Sequence, residues 1–367
     1  MSGKINLKRW LAAFTFLLAT WCTAASARTI YVDDDGPADF NTIQAAIDDS
    51  NDGDTIIVQP GLYQELVGFR GKNITLTSTN PGDFDVVAAT IVDYSVGFRG
   101  TEDANCMLTG FKINHGISGV DYLIDPTGEN HTHATISHCL LFGNRVSGGT
   151  VIKACDGTIS NCEVADNLPI SDVIDYAIRG CHGLIKNCTV AHNFLGIRVL
   201  QGGTTKIENC IIYGNGIRVE GGATVNILYS DVDWISGGGT VNWDPGNMDE
   251  DPCFVRVRDP FGAFNGEYHL NSQAGRWDPN SQSWVQDDVT SPCIDAGNPN
   301  SPIGLEPFPN GGLINMGAYG GTPEASKSYF GRPPCEIIIA GDVNGDCKVN
   351  WLDFQIIALH WLRDESQ

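Results

Sequence analysis

Between Ile136 and Asn215 the chain writes nearly the same phrase four times: ISHCLLFGN (136–144), ISNCEVADN (159–167), IKNCTVAHN (185–193) and IENCIIYGN (207–215). An Ile, a Cys three residues later and an Asn five after that recur in each. The cysteines are Cys139, Cys162, Cys188 and Cys210, at intervals of 23, 26 and 22 residues. A period in the low twenties denotes a solenoid or related array, in which each unit buries its apolar face against its neighbours. The units are rich in β-branched residues and punctuated by Asn and Gly, which reads as strands and turns rather than helix pairs. A fixed phrase at variable spacing suits a parallel β-helix, where extra residues bulge out of one coil. Coils stacked about 4.8 Å apart then place like on like: an Ile ladder, a Cys ladder and an Asn ladder.

The N-terminus reads as an export signal. Lys4, Lys8 and Arg9 precede the apolar stretch Leu11 to Ala19, and Ala25-Ser26-Ala27 is a small-residue cleavage site, so a signal peptide is expected over 1–27. The apolar run is shorter than the ~20 residues a membrane span needs, and no later segment is long and apolar enough. The mature chain is expected to be secreted or held at the cell surface. Residues 1–27 hold three basic residues and no acid, so 19 Lys+Arg face 44 Asp+Glu after cleavage, a net charge of −25. Such a chain excludes non-specific nucleic-acid binding, and its many acids suggest calcium. Eleven of the 12 cysteines remain after cleavage. The number is odd, so at least one is a free thiol or bonds another chain. The ladder cysteines read either as small buried apolar residues or as bridged neighbours; parallel side chains on adjacent rungs are poor disulfide geometry and favour the unbridged reading.

In chain order, Thr29 to Val32 is a strand, and DFNTIQAAIDDS (39–50) is an amphipathic helix with Asn41 as N-cap and Gln44 three residues on. Ile43, Ala46 and Ile47 form its apolar face. It is expected to cover the open N-terminal end of the coil, which otherwise invites edge pairing. NDGDTIIVQPGLYQE (51–65) starts the first coil. This opening resembles secreted proteins of the pectate-lyase-like superfamily, which implies a right-handed parallel β-helix over 28–332. Strands continue in ITLTS (74–78), ATIVD (89–93) and MLTGFKINHG (107–116), the last with Gly110 at the Cys position. Residues 121–134 are an insertion, and ATVNILYSDVDW (223–234) is a last, weaker rung.

From 235 to 332 the period fades. NMDEDPCF (247–254), GEYHL (266–270), SPCIDAG (291–297) and INMGAYGG (314–321) resemble the closing segment of a family of secreted bacterial β-helix proteins of planctomycete type. The resemblance implies final coils with long loops that close the C-terminal end, and a Cys253–Cys293 disulfide. Arg332-Pro333-Pro334 is a linker to a small module at 333–367.

That module carries oxygen ligands at calcium-loop spacing: Asp342, Asn344, Asp346, the Lys348 carbonyl, Asn350 and Asp353 fall at positions 1, 3, 5, 7, 9 and 12. Phe354, Ile357, Ala358, Trp361 and Leu362 follow at helical spacing. The segment resembles one repeat of a type I dockerin, which implies calcium as ligand and a cohesin-like or cell-surface partner. It departs from that pattern in having one repeat, Cys347 in place of the usual Gly, and a short Asp at the last ligand. Cys347 is expected to pair with Cys335.

Chemistry is sought on the strand after each repeat. Aligning Val120-Asp121, Ile152-Lys153, Ile178-Arg179, Ile197-Arg198 and Ile217-Arg218 places an aliphatic residue inward and the next residue outward. Lys153, Arg179, Arg198 and Arg218 then stack as a basic column beside Asp121. Stacked like charges repel, so counter-ions must be close. They are either a polyanion such as a uronate-containing polysaccharide, whose carboxylates suit Arg forks, or the chain's own Asp156, Asp172, Asp175 and Glu220. Asp172 and Asp175 are also candidate carboxylates for calcium or acid–base work. The polygalacturonase signature of paired Asp with Gly-His-Gly and Arg-x-Lys is absent; GCHG (180–183) is the nearest string. His131 and His133 read first as solvated loop residues and second as metal ligands. His138 occupies the Asn position of the other repeats and reads as structural. Trp243, Trp277 and Trp284 are candidate sugar platforms or cap residues. Three functions compete: an enzyme on acidic glycans (lyase or hydrolase), a non-catalytic carbohydrate binder, and a surface or assembly component held through its C-terminus.

Overall fold

The computed structural model describes residues 27–120, 130–143, 150–167, 176–257, 266–331, 341–343 and 348–360. The expected signal peptide, Asp121, Asn144, Asp172, Asp175, the 332–334 linker, Cys335, Asn344, Asp346, Cys347, Trp361 and Leu362 lie outside them, the signal save its last residue.

Eight coils each contribute one strand to each of three parallel sheets, and the first sheet carries one further strand at either end, so that it has ten strands and the others eight. The first sheet runs from Thr29–Val32 to Thr240–Trp243, the second from Gly61–Tyr63 to Asp231–Val232, and the third from Val67–Gly68 to Ile235–Gly237. The Ile ladder is longer than the repeat that announced it. Ile30, Ile56, Leu76, Leu108, Ile136, Ile159, Ile185, Ile207 and Ile227 pair in register through the first sheet, and all are buried. The same register corrects the alignment of 107–116: Leu108 pairs Ile136, so Phe111 holds the Cys position and Gly110 the one before it.

That preceding position explains the recurring Asn. Gly110, His138, Asn161, Asn187 and Asn209 all have positive φ, from 48° to 84°, at the corner where the first sheet passes into the second. Gly adopts this conformation freely, and Asn more readily than most residues. Cys139, Cys162, Cys188 and Cys210 follow, fully buried and unbridged. Each thiol donates to the carbonyl two residues back, at 3.2 to 3.3 Å. At the next corner Asn167, Asn193 and Asn215 form the Asn ladder: Asn167 Nδ2 donates to Asn193 Oδ1 at 2.8 Å and to the Leu141 carbonyl.

The N-terminal helix is Ile43–Asp49. Its N-cap is Thr42, whose hydroxyl accepts from the Ala45 amide, and not Asn41. Glu65 supplies what the short cap leaves unmet, accepting from the Ile43 and Gln44 amides at 2.7 and 2.8 Å. Ile43, Ala46 and Ile47 are buried as expected. A second helix, Phe84–Ala89, lies where only strands are expected; Asp83 caps it, accepting from the Asp85 and Val86 amides.

The region after Trp243 corrects the expected closing coils. The coils end at Ile235–Gly237 and Thr240–Trp243, and the last strand is exposed along its length. The chain then folds back across the outer face of the second sheet. Two antiparallel pairs, Phe254–Arg256 with Glu267–Leu270 and Arg276–Asp278 with Ser283–Val285, replace coils. Phe254, Tyr268, Leu270, Cys293, Ile294 and Met316 pack on Ala165, Ala191 and Ile211, the outward residues of the second sheet. Polar contacts fix the seam: Tyr268 Oη donates to Asp166 at 2.6 Å, Asn161 Nδ2 to the Gly320 carbonyl at 2.8 Å, and the Asn298 amide to Asn209 Oδ1 at 2.7 Å. The expected Cys253–Cys293 disulfide is absent and both are thiols. Cys293 Sγ points into this cluster and donates to Asp231 Oδ2 at 3.3 Å.

Replacing Ile185 by Ala leaves a cavity in the centre of the ladder, with rungs above and below that cannot close on it. The expected loss is about 2–5 kcal/mol. Chemical denaturation checks it, and a loss under about 1 kcal/mol would mean that the rungs relax independently.

Candidate functional site

The third sheet builds the basic column. Lys153 pairs Arg179, Arg179 pairs Arg198 and Arg198 pairs Arg218. Ile152, Ile178, Ile197 and Ile217 precede them and are buried, so strand alternation turns the basic side chains outward. The residue paired below Lys153 is Ser118 and above Arg218 is Ser236. The column is therefore framed by serines, and the fifth member expected from the alignment of Asp121 does not hold, because Ile117-Ser118 occupies that rung. Asp121 itself lies outside the described residues.

The four bases differ in environment. Arg198 forms a forked ion pair with Glu220, its Nε at 2.8 Å, and its guanidinium lies 5.3 Å from the Tyr176 ring centre. Hydrogen bonds from Arg198 hold the Glu220 carboxyl below its ordinary range. Arg179 and Arg218 are exposed, and among the described residues neither forms an ion pair. Lys153 is half-buried; burial and then the Arg179 charge push its ammonium below the ordinary value. Tyr176, Arg179, Arg198 and Arg218 line an open depression of about 360 Å³. Of the expected internal counter-ions, Glu220 neutralises Arg198, while Asp156 turns elsewhere.

Asp156 lies at the corner where the third sheet passes back to the first. Its Oδ1 is 3.0 Å from His131 Nδ1 and 3.7 Å from His182 Nδ1, and accepts from the His182 amide at 2.9 Å. Burial would raise this carboxyl, but hydrogen bonds from both imidazoles carry it well below the usual carboxylate range. His131 is thus part of a cluster rather than a solvated loop residue, whereas His133 is exposed. A sequence signal existed: KACDG (153–157) and RGCHG (179–183) share a basic-x-Cys-x-Gly pattern at the coil spacing.

The C-terminal segment keeps its helix, Trp351–His360. Asn350 Oδ1 accepts from the Leu352 amide and Asp353 reaches back to the Asn350 amide, a reciprocal cap. Asp342 and Asp353 are buried carboxylates, and Asp353 also accepts from the Val343 amide at 2.9 Å. Two buried carboxylates are the oxygen-donor chemistry that a hard cation takes. Of the stripe expected behind the loop, Phe354 and Ala358 are exposed and Ile357 is half-buried, while Trp361 and Leu362 lie outside the described residues.

Trp277 and Trp284 form an edge-to-face pair, 5.8 Å between centres, on the second antiparallel pair. With Asp83, Asp85, Leu305 and Glu324 they line an open groove of about 440 Å³. Trp243 lies apart, exposed on the last strand of the first sheet. Behind the groove runs a buried polar chain. His269 Nε2 is 3.3 Å from Glu324, its Nδ1 bonds Glu267, and Tyr319 Oη donates to Glu163 at 2.8 Å. Burial pushes Glu163 up to about 7 and Glu306 up to about 8. Burial opposes protonation of His269, but its two carboxylate partners outweigh it and raise the imidazole to about 9.

Residues 79–247 match the family model described as right handed beta helix region, and these coils are a right-handed β-helix. Residues 226–297 match a model described as disaggregatase related. No curated protein matches the chain. Among solved structures the chain is similar to pectate lyase Pel9A, at 14% identity and a TM-score of 0.40, covering 79% of this chain and 96% of that one. It is also similar to the pectin methylesterase from Aspergillus niger, at 18% identity and a TM-score of 0.33, covering 60% and 82%. No helix among the described residues is long and apolar enough to cross a membrane.

Groups raised on folding stabilise the fold below their unfolded values and lose that contribution as pH rises through the folded ones. The seam under the groove should therefore weaken from about pH 4.5 upward as Glu306 approaches its folded value of about 8. Glu306 accepts from the Asn315 and Gly321 amides, which Gln can also satisfy. The expected outcome is that Glu306→Gln gains on wild type in urea midpoint at pH 9 but not at pH 5. Parallel curves at both pH values would show that Glu306 is not buried as an acid.

Proposed function

We propose that the chain is an exported protein that binds acidic polysaccharide along the basic column of its third sheet. The observation that carries this reading is the in-register stack of Lys153, Arg179, Arg198 and Arg218, in which Arg179 and Arg218 stay exposed while Glu220 engages Arg198. Basic groups repeat at the rung spacing of about 4.8 Å, a one-dimensional lattice that suits a polymer with a carboxylate on every sugar. Arginine forks bind such carboxylates bidentately. The strongly acidic remainder of the chain repels a polyanion, which confines binding to this face. Tyr176 adds an aromatic surface in the same depression.

A catalytic version of the same reading is a lyase, and the environment of Lys153 favours it. An amine works as a base only when neutral, and burial beside Arg179 moves Lys153 in that direction. One experiment addresses both. Purified protein is titrated with polygalacturonate and with a neutral glucan, while ultraviolet absorbance follows unsaturated uronate ends. Arg179→Ala with Arg218→Ala should weaken polygalacturonate binding at least tenfold and leave the glucan baseline unchanged. Equal binding by the double variant would sink the proposal. Unsaturated ends that vanish in Lys153→Met would assign the lyase chemistry; their absence from wild type would leave a binder alone.

The C-terminal segment is proposed to hold calcium through Asp342, Asn344, Asp346, the Lys348 carbonyl, Asn350 and Asp353. Buried Asp342 and Asp353 beside the reciprocal cap support this fit. Terbium, a calcium surrogate, should luminesce by transfer from the adjacent Trp351 and be displaced by calcium. Asp342→Ala should lower terbium affinity at least tenfold; an unchanged titration would place the ion elsewhere.

A further inference from the structure

We propose that His131, Asp156 and His182 bind one divalent transition-metal ion of the zinc type, tying three successive coils together at the corner between the third and first sheets. The three side chains come from different coils. Thr132 bridges to Cys155, the Cys155 amide donates to Cys181 Sγ at 3.4 Å, and Asp156 and His182 follow those cysteines directly. One potential ligand atom from each residue lies within 4.8 Å of the others.

The spacing suits an ion. Zinc bonds to imidazole nitrogen and carboxylate oxygen are about 2.0–2.1 Å long, so tetrahedral ligand atoms sit roughly 3.3 Å apart. Asp156 Oδ1 is 3.0 and 3.7 Å from the two Nδ1 atoms, on either side of that value. The third edge, between the two imidazole nitrogens, is no longer than 4.8 Å, so an ion would draw the two rings toward each other. The His182 ring is held for the purpose. It packs on Gly203, where a Cβ would fall 2.2 Å from Nε2. That nitrogen is buried and has no hydrogen-bond partner among the described residues, so Nδ1 is the atom left to a ligand. Asp156 is held in turn by the His182 amide. A site whose ligands are locked by packing and backbone needs little reorganisation to bind.

Donor type selects the metal. Two imidazoles and one carboxylate suit zinc, cobalt, nickel or iron, whereas calcium and magnesium take oxygen ligands. The neighbouring Cys155 and Cys181 are buried in the main apolar core and are not among the proposed ligands. The three side chains retain 15%, 20% and 22% exposure, enough for water to complete the coordination. Three protein ligands with one open position is the arrangement of sites that exchange a ligand. This proposal is independent of polysaccharide binding.

The full chain, purified without a histidine tag, stripped with chelator and kept in calcium to fill the C-terminal loop, is titrated with zinc by calorimetry and counted by plasma mass spectrometry. One zinc per chain is expected, with affinity at least a hundredfold lower in His131→Ala and in Asp156→Ala. Circular dichroism confirms that the variants remain folded; His182→Ala is the third arm, because its ring also packs on Gly203. Cobalt in place of zinc should give visible bands of nitrogen and oxygen ligation without thiolate charge transfer. Sub-stoichiometric uptake, equal uptake by the folded variants, or thiolate bands would each overturn the site.

Discussion

Parallel in-register pairing of successive coils is the constraint on which everything else rests. Because each strand sits one rung spacing from its equivalent, a residue chosen in one coil meets its counterpart in the next. The chain uses this differently at each station. Inside the first sheet it stacks aliphatics from Ile30 to Ile227, at the corners it stacks Cys and Asn, and on the third sheet it stacks like charge. Apolar ladders gain from repetition. Charged ones lose, and the forked pair between Arg198 and Glu220 shows how one rung was neutralised while its neighbours at Arg179 and Arg218 were left open.

The seam between the second sheet and the returning C-terminal chain is built on another principle. Here acids are buried against each other and held by few bases: Glu163, Glu306 and Asp231 all sit above their ordinary values because burial disfavours their charge. Only His269, gripped by Glu267 and Glu324, supplies a buried cation to this cluster among the described residues. Such groups contribute little as charges. They fix direction, since a buried polar group must meet its partners, and they dock the described residues of 244–257 and 266–331 on one face.

Much of this was legible in the sequence where residues repeat, and little where they do not. The four nonapeptides disclosed the coil, and the Ile-basic dipeptides disclosed the column from Lys153 to Arg218. Both signals arise because stacking forces the same side chain at the same station. Where the pattern decayed, alignment slipped. Gly110 precedes the Cys station, which Phe111 fills with a larger side chain. The rung below Lys153 belongs to Ser118 and not to Asp121. The cap moved from Asn41 to Thr42 because Glu65, distant in sequence, completes the helix end. The course of the closing region was not legible at all. Its contacts with Asn161, Asn187 and Asn209 use side chains whose conservation of type within the repeat is already explained by their backbone conformation. The His131–Asp156–His182 cluster was half visible, as two matching pentapeptides whose third partner follows an insertion.

The thiol ladder carries a consequence for how the molecule can be watched. Cys139, Cys162 and Cys188 are sealed in the core and burial lifts each thiol well above its ordinary value, so the reactive thiolate is scarce in the native state. A thiol can be alkylated only when its own coil opens. The ladder is thus a row of chemical gauges set one rung apart along the axis. The order in which they take up label would read out the direction in which the solenoid frays.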